Sequence, residues 1–143
     1  MKRLMESWSI YLKEAEKVNR VSKAVMIDDD GRVLILKRAA DLIDDESPWE
    51  WDLPGGHIKK GESDKEGLER EVEEETSLKP LMVPKDWYFL GKSTRFYLLR
   101  DWDGEISLNK EHQEYKWIDP GEVKEYFLGD LYTNAIRRAY EPW

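Results

Sequence analysis

Three glutamates lie within five residues of one another, at Glu71, Glu74 and Glu75. In a helix each residue is rotated by roughly 100° from the last, so these positions share one face. Carboxylates spaced in this way repel one another, at a cost of roughly a few tenths of a kcal/mol per pair. A divalent cation reverses that repulsion, because Mg²⁺ takes carboxylate and water oxygens as ligands. The spacing is therefore compatible with a Mg²⁺ site, but for the glutamates alone an ordinary solvated acidic face is the favoured interpretation.

The residues around the glutamates predict the helix that would carry them. Ser63 followed three residues later by Glu66 is a capping box, a pairing that starts many helices. We predict a helix over residues 64–76, with Leu68 and Val72 as its apolar stripe. This stripe adjoins the glutamate face, so the helix can pack on a core while the carboxylates border a cleft.

Glycines also mark this region. Pro54-Gly55-Gly56 forms a loop whose backbone can approach a ligand closely, because glycine carries no side chain. Gly67 lies inside the predicted helix, where glycine costs about 1 kcal/mol relative to alanine. We expect close packing against the Gly55-Gly56 loop to be the reason for Gly67.

The whole stretch resembles the Nudix box, the signature of the MutT-like Nudix hydrolase family. The family's residue types recur at the family's spacing in Gly56, Glu62, Arg70, Glu71, Val72, Glu74, Glu75 and Leu78. The preceding Trp51-x-Leu53-Pro54 is similar to the family's usual entry to the box. Ser77 departs from the pattern, since the family has a glycine there, which usually supplies the left-handed conformation that ends the helix. Either Ser77 adopts that conformation at some cost, or the helix ends differently.

The resemblance implies roles for the residues of the box. The three glutamates would hold Mg²⁺, with Mn²⁺ as a substitute, and one of them would deprotonate the attacking water. The Gly55 carbonyl is a candidate further metal ligand, and the Gly55-Gly56 backbone is expected to contact the substrate. Arg70 is expected to orient the glutamates through an ion pair, with Glu62 as its partner, rather than to bind substrate.

Residues outside the box complete the expected site. Members of the family often place one more acidic residue near the metal or the water, and Glu114 is the candidate, with Glu111 as the alternative. Arg38, at the end of a predicted strand, either reaches a substrate phosphate or stays exposed. His57 and His112 form no cluster in the sequence, so we assign them no metal role.

Composition narrows the classes of partner. The chain has 143 residues and a net charge of −8, which argues against binding to a nucleic-acid backbone. It has no cysteine, which excludes disulfides, thiolate metal sites and cysteine nucleophiles. No run resembles a signal peptide or a membrane span, so we expect a cytoplasmic protein without a membrane partner, and a homodimer is a candidate assembly.

The rest of the chain predicts one α/β domain over residues 1–143. The resemblance implies that this domain is a Nudix-type α/β/α sandwich with a mixed central β-sheet. Residues 1–20 carry apolar side chains at helical spacing and predict an amphipathic helix, and a closing helix is predicted over residues 130–140. Asp-Gly pairs predict hairpins that turn at residues 29–31 and 103–104.

The activity that the resemblance implies is hydrolysis of a phosphoanhydride bond in a nucleoside diphosphate linked to another group. A (deoxy)nucleoside triphosphate is the first candidate, and ADP-ribose, nucleotide sugars and dinucleoside polyphosphates remain alternatives. A Nudix-like module that binds nucleotides without catalysis is a different class, as is an interaction protein that uses its N-terminal helix. Trp49, Trp87 and Tyr88 are candidates for stacking on a base.

Overall fold

A computed structural model describes residues 20–141 of the chain. The helix predicted for residues 1–20 therefore lies outside the described residues, apart from Arg20 at its edge. No helix in the described part of the chain is both long and apolar enough to cross a membrane.

Within residues 20–141 the strands are short and two α-helices are longer. The strands are β1 Val21–Met26, β2 Val33–Arg38, β3 Trp51–Asp52, β4 Gly55–His57, β5 Lys79–Leu81, β6 Phe89–Gly91, β7 Thr94–Leu99, β8 Asp101–Asp103 and β9 His112–Ile118. The helices are α1 Asp64–Thr76 and α2 Asp130–Tyr140, and the 3₁₀ turns are Ala40–Leu42 and Pro120–Glu125.

The strands form a mixed arrangement. A four-stranded sheet has the order β4-β1-β7-β6, in which β1 and β7 are parallel and the other neighbours are antiparallel. An antiparallel sheet of β3, β2 and β9 lies beside it, and β5 pairs with β8. The mixed sheet expected from the resemblance is thus present, but it is divided into separately bonded parts.

Side chains of β1 alternate between two apolar cores, because successive residues of a strand point to opposite faces. Ala24 and Met26 pack in one core, which also contains residues of α1. Val25 and Ile27 pack in the other core, which contains residues of α2. A helix therefore covers each face, which confirms the predicted α/β/α sandwich and explains why residues 24–27 are all apolar.

Both predicted hairpins are wrong in their pairing. Residues 28–32 do form a turn, but β1 and β2 belong to different sheets and are joined only by an isolated bridge between Ile27 and Val33. At the second site, residues 92–100 were expected to pair with residues 105–108, but β7 pairs with β1 and β6, β8 pairs with β5, and residues 105–108 form no strand. Turn chemistry is local, whereas the choice of a strand partner depends on tertiary packing.

Helix α1 spans the predicted residues. Ser63 accepts a hydrogen bond from the Glu66 N–H, and the Glu66 carboxylate accepts one from the Ser63 N–H, so the capping box is complete. Ser77 ends the helix at φ 67° and ψ 4°, the left-handed conformation that the family's glycine supplies. Its hydroxyl donates to the Ser107 carbonyl oxygen at 2.9 Å, which helps to hold a non-glycine residue in this conformation.

Gly67 packs differently from the expectation. A Cβ at Gly67 would lie 2.4 Å from Cδ1 of Ile58, which is itself buried. The contact is therefore with the residue that follows β4 and not with the Gly55-Gly56 loop. Close packing still accounts for the glycine, because the helix comes closer to Ile58 than an alanine at this position would allow.

Candidate active site

The backbone of β4 lies against the glutamate face of α1. A Cβ at Gly56 would come within 2.8 Å of the Glu71 carboxylate, so a larger residue here would push that side chain aside. The N–H of Gly55 donates to Glu75 Oε1 at 3.2 Å. Gly55 has φ +130°, and a Cβ there would lie 2.2 Å from the Ser22 carbonyl oxygen. The two glycines therefore bring main-chain groups and carboxylates together.

The three glutamates differ in their exposure to solvent. Glu75 is only 3% exposed, Glu71 is half-buried, and the Glu74 side chain is 53% exposed. Burial raises the pKa of Glu75 above its ordinary value, the Asp52 and Glu71 carboxylates raise it further, and Lys23 opposes them. The face thus runs from a buried carboxylate to one that is open to solvent.

Arg70 links the members of the box. Its Nε donates to Glu62 Oε2 at 2.7 Å, and its Nη1 contacts Glu71 Oε1 at 3.0 Å and Glu74 Oε2 at 3.2 Å. The hydrogen bond from Arg70 lowers the pKa of Glu62. This is the arrangement expected of a residue that orients the glutamates.

The donor set around this face suits a hard divalent cation. It consists of the three glutamate carboxylates and the Gly55 carbonyl, which are all oxygen donors of the kind Mg²⁺ and Mn²⁺ prefer. Within residues 20–141, no three acidic or histidine side chains converge closely enough to enclose an ion as they lie. Arg70 accounts for part of this spacing, because its guanidinium draws two of the glutamates toward itself.

Lys23 is a residue of the site that sequence reasoning missed. It lies on β1, is 6% exposed, and places its ammonium 3.1 Å from Asp52 Oδ1. Burial alone would lower the pKa of Lys23, but Asp52, Tyr132 and Glu75 outweigh that effect and raise it, so the amine stays protonated. The signal in the sequence was a single charge inside the apolar run of residues 21–26.

His112 is a second residue that the sequence did not assign to the site. Its Nε2 lies 3.5 Å from Glu75 Oε2, and its Nδ1 lies 3.3 Å from the Asn109 side-chain oxygen. Burial lowers the pKa of His112, so the ring is neutral near pH 7. A neutral imidazole adds no positive charge to offset the carboxylate of Glu75.

The later acidic residue in the cleft is Glu111 and not Glu114. Glu111 and His112 border the cleft together with Glu71 and Glu75. Glu114 lies opposite Lys37 in the β2–β9 ladder, is exposed, and does not line the cleft. Glu111 lies in the turn just before β9, whereas Glu114 lies within the strand.

Arg38 donates its hydrogen bonds to backbone carbonyls. Its Nη1 bonds the carbonyl oxygens of Ser47 and Trp49, and its Nη2 bonds that of Leu42, at 2.7 to 3.0 Å. These contacts organise the loop of residues 39–50. Arg38 also borders the cleft, so the structure places it near the site while most of its bonds serve the loop.

An aromatic cavity of about 330 Å³ adjoins the cleft. Its walls include Trp49, Trp51 and Tyr132, whereas Trp87 and Tyr88 are not among its lining residues. Arg38 and Asp52 border both spaces, so the cavity opens beside the glutamate face. Of the three candidate stacking residues, Trp49 is the one that the structure brings to the site.

Comparisons with known proteins agree with this geometry. The Nudix domain model matches residues 18–139. The nucleoside triphosphatase NudI of Escherichia coli (strain SE11) is 30% identical over 129 residues, which cover 78% of this chain and 90% of NudI. NudI from Shigella flexneri matches to the same extent.

Solved structures share the fold. A MutT Nudix hydrolase from Burkholderia pseudomallei aligns with a TM-score of 0.64 and 21% identity, over 84% of this chain and 96% of that one. A C. elegans Ap4A hydrolase aligns with a TM-score of 0.63 and 18% identity, over 85% and 95% of the two chains. With a domain match over most of its length and a relative at 30% identity, the chain belongs to the Nudix hydrolase family.

Proposed function

We propose that this hydrolase cleaves a (deoxy)nucleoside triphosphate to a nucleoside monophosphate and pyrophosphate, with Mg²⁺ as its cofactor. The observation that carries the proposal is the shared border of the two spaces, where Arg38 and Asp52 line both the aromatic cavity and the glutamate cleft. A base in the cavity would direct its phosphates toward the glutamates. The cavity volume of about 330 Å³ lies within the range of small-molecule sites, roughly 300–1,000 Å³. The relative NudI, a nucleoside triphosphatase by name, supports the same choice.

In the proposed reaction the residues of the chain hold and orient the reacting groups. Glu71, Glu74 and Glu75 would hold the divalent cation, with the Gly55 carbonyl as a further ligand. When bound, that cation supplies charge neutralisation for the phosphates and lowers the pKa of the attacking water. A carboxylate of the cleft would accept a proton from this water while the water oxygen forms a bond to one phosphorus of the anhydride. The bond from that phosphorus to the bridging oxygen breaks, which gives the nucleoside monophosphate and pyrophosphate. Arg70 keeps the glutamates in place through its contacts with their oxygens.

A substrate panel tests the proposal. The purified protein is assayed with the eight common ribo- and deoxyribonucleoside triphosphates, ADP-ribose, a nucleotide sugar, a dinucleoside tetraphosphate and p-nitrophenyl phosphate, with Mg²⁺ or with EDTA. We expect Mg²⁺-dependent release of pyrophosphate from nucleoside triphosphates and no cleavage of p-nitrophenyl phosphate. Preferential cleavage of ADP-ribose, the nucleotide sugar or the dinucleoside tetraphosphate would change the proposed substrate but not the proposed chemistry.

The same panel separates an enzyme from a nucleotide-binding module. A module would bind nucleotides in calorimetry and release no product from any compound. Turnover of p-nitrophenyl phosphate alone would contradict the whole proposal. A cytoplasmic location and a homodimer stay predictions from the sequence, to be tested by cell fractionation and by size-exclusion chromatography.

A further inference from the structure

The ammonium of Lys23 is enclosed by the segment that leads into the Nudix box. Lys23 pairs with Gly55 in the antiparallel ladder between β1 and β4. Its Nζ lies 3.1 Å from Asp52 Oδ1, 3.1 Å from the Leu53 carbonyl oxygen and 3.1 Å from the Gly55 carbonyl oxygen. An ammonium has three N–H groups, so these three acceptors satisfy it completely. Lys23 therefore has no donor left to offer to a substrate.

Gly55 is consequently held through both of its main-chain polar groups. Its N–H donates to Glu75 and its carbonyl oxygen accepts from Lys23. Glycine is also required at this position, because a Cβ at this φ of +130° would lie 2.2 Å from the Ser22 carbonyl oxygen. The direction of the Gly55 carbonyl is thus set by its hydrogen bond from Lys23, while Glu75 holds the N–H of the same residue.

We propose that Lys23 is a positioning residue for the metal site, which fixes the Gly55 carbonyl beside the glutamate face without contacting the substrate. The proposal rests on the proposed function, since it takes that carbonyl as an oxygen donor to the divalent cation. A carbonyl oxygen has two lone pairs, so an N–H of Lys23 and a cation can share it. Residues that orient metal ligands in this way typically change metal affinity by about 10- to 100-fold when they are removed.

A simpler role for Lys23 makes the opposite prediction. As a counter-charge only, Lys23 would balance the Asp52 and Glu75 carboxylates around it. Its removal would then leave the cleft more negative, and a divalent cation would bind equally well or more tightly. The sign of the change in cation affinity therefore separates positioning from charge balance.

The test compares two variants that differ only at the lysine. Lys23→Met alone would leave the Asp52 carboxylate without its partner in a largely buried place, which destabilises proteins strongly. Asp52→Asn is therefore the reference, and Lys23→Met in the Asp52→Asn background is the test variant. Mn²⁺ is titrated into each protein without substrate, and the free ion is followed by electron paramagnetic resonance. Near-UV circular dichroism verifies the fold of both.

We expect Mn²⁺ to bind the double variant at least about tenfold more weakly than Asp52→Asn. Equal or tighter binding would overturn the positioning role. Lys23→Gln in the same background adds a second arm, since it keeps an N–H donor and removes the charge. Positioning predicts an affinity between those of the other two proteins, whereas charge balance predicts no loss. This arm decides the question if the methionine variant does not fold.

Glu74→Gln in the same titration separates this proposal from the proposed function. If the wild-type protein binds Mn²⁺ no better than Glu74→Gln does, the metal site itself is wrong. If Glu74→Gln weakens binding and the Lys23 substitutions do not, only the positioning role fails.

Discussion

The glutamate cleft and the aromatic cavity are neighbours, but they are constructed in opposite ways. Around the cleft, buried and half-buried polar groups are bonded to one another: Lys23 to Asp52, Arg70 to Glu62, and Glu75 to the Gly55 N–H. The cavity has three aromatic side chains and two leucines among its walls, and its Trp49 is 39% exposed. On the proposed function, the polar contacts of the cleft would hold the reacting groups and the aromatic wall of the cavity would bind the rest of the substrate.

This division predicts that substitutions in the two regions change different kinetic constants. Contacts that exist only in the transition state affect kcat, whereas contacts made equally before and during the reaction affect KM. Three substitutions and a change of pH test this difference between the cleft and the cavity.

Glu74→Gln should have the largest effect. Removal of one metal-binding charge should lower kcat by at least about 100-fold, which is about 2.7 kcal/mol in the barrier. Stability without metal should change by less than about 1 kcal/mol, because the Glu74–Arg70 contact is an exposed pair on a helix. Steady-state kinetics with Mg²⁺ and urea unfolding with EDTA measure the two quantities.

Glu73→Gln is the matched control for that substitution. Glu73 is the preceding residue of α1 and is exposed. It should retain wild-type activity. If the two variants keep full activity, or lose it together, this helix face is not the metal site and the contrast between cleft and cavity disappears.

Trp49→Ala should affect the cavity. Stacking of a base on an aromatic side chain contributes about 1–3 kcal/mol, so we expect KM for the nucleotide to rise about tenfold while kcat stays within about twofold. Trp87→Ala is the control, since Trp87 is similarly exposed at 42% but does not line the cavity. A fall in kcat with unchanged KM would show that the cavity wall takes part in positioning the reacting groups.

A change of pH should destabilise the cleft in the absence of metal. Burial raises the pKa of Glu75 to about 9 in the folded protein, from an ordinary value of 4.5. The folded state then binds more protons than the unfolded state between these values, so stability falls as pH rises through this window. With EDTA, we expect the melting temperature to fall from pH 7 to pH 9.

Glu75→Gln should remove most of that pH dependence, because glutamine does not titrate. The lowered pKa of His112 affects stability only at lower pH, so the window from pH 7 to pH 9 isolates Glu75. Added Mg²⁺ should flatten the wild-type profile, since a cation stabilises the ionised carboxylate. A wild-type profile that is already flat in EDTA would show that Glu75 ionises normally in the folded protein.

Ser77→Gly should have the smallest effect. Glycine relieves the left-handed conformation at φ 67°, a gain of about 0.4–1 kcal/mol. The substitution also removes the hydrogen bond from the Ser77 hydroxyl to Ser107, which offsets part of that gain. We expect neutral or slightly increased stability in urea unfolding. A loss greater than about 1 kcal/mol would mean that the hydroxyl, and not the backbone conformation, determines this helix end.

The cleft was more accessible to sequence reasoning than the cavity was. Helix α1 was predicted over its observed residues, because the capping box, the apolar stripe and the glutamates all lie within one segment. The cavity unites residues from 38 to 132 that no local pattern connects. Lys23 and Asp52 were missed for the same reason, since a buried charge is recognised only through its tertiary partner.

Glu111 borders the cleft where Glu114 was predicted, and this difference shows a second limit of prediction from the sequence. An acidic residue in this part of the chain was expected near the glutamates, and the structure brings Glu111 there. Glu111 lies in the turn just before β9 and Glu114 lies within that strand, and the residue at which a strand begins is difficult to read from one sequence. The segment was therefore predictable while the residue within it was not.

The three carbonyls bonded by Arg38 affect how the wall of the cavity can vary between related sequences. The oxygens of Leu42, Ser47 and Trp49 are main-chain atoms, so their bonds to Arg38 do not depend on the side chains that the loop carries. New side chains can be introduced along residues 39–50 while the path of the loop is kept. Insertions and deletions, in contrast, would move these oxygens away from the guanidinium. Substitution at constant loop length is therefore the route by which this hydrolase would acquire a new substrate preference.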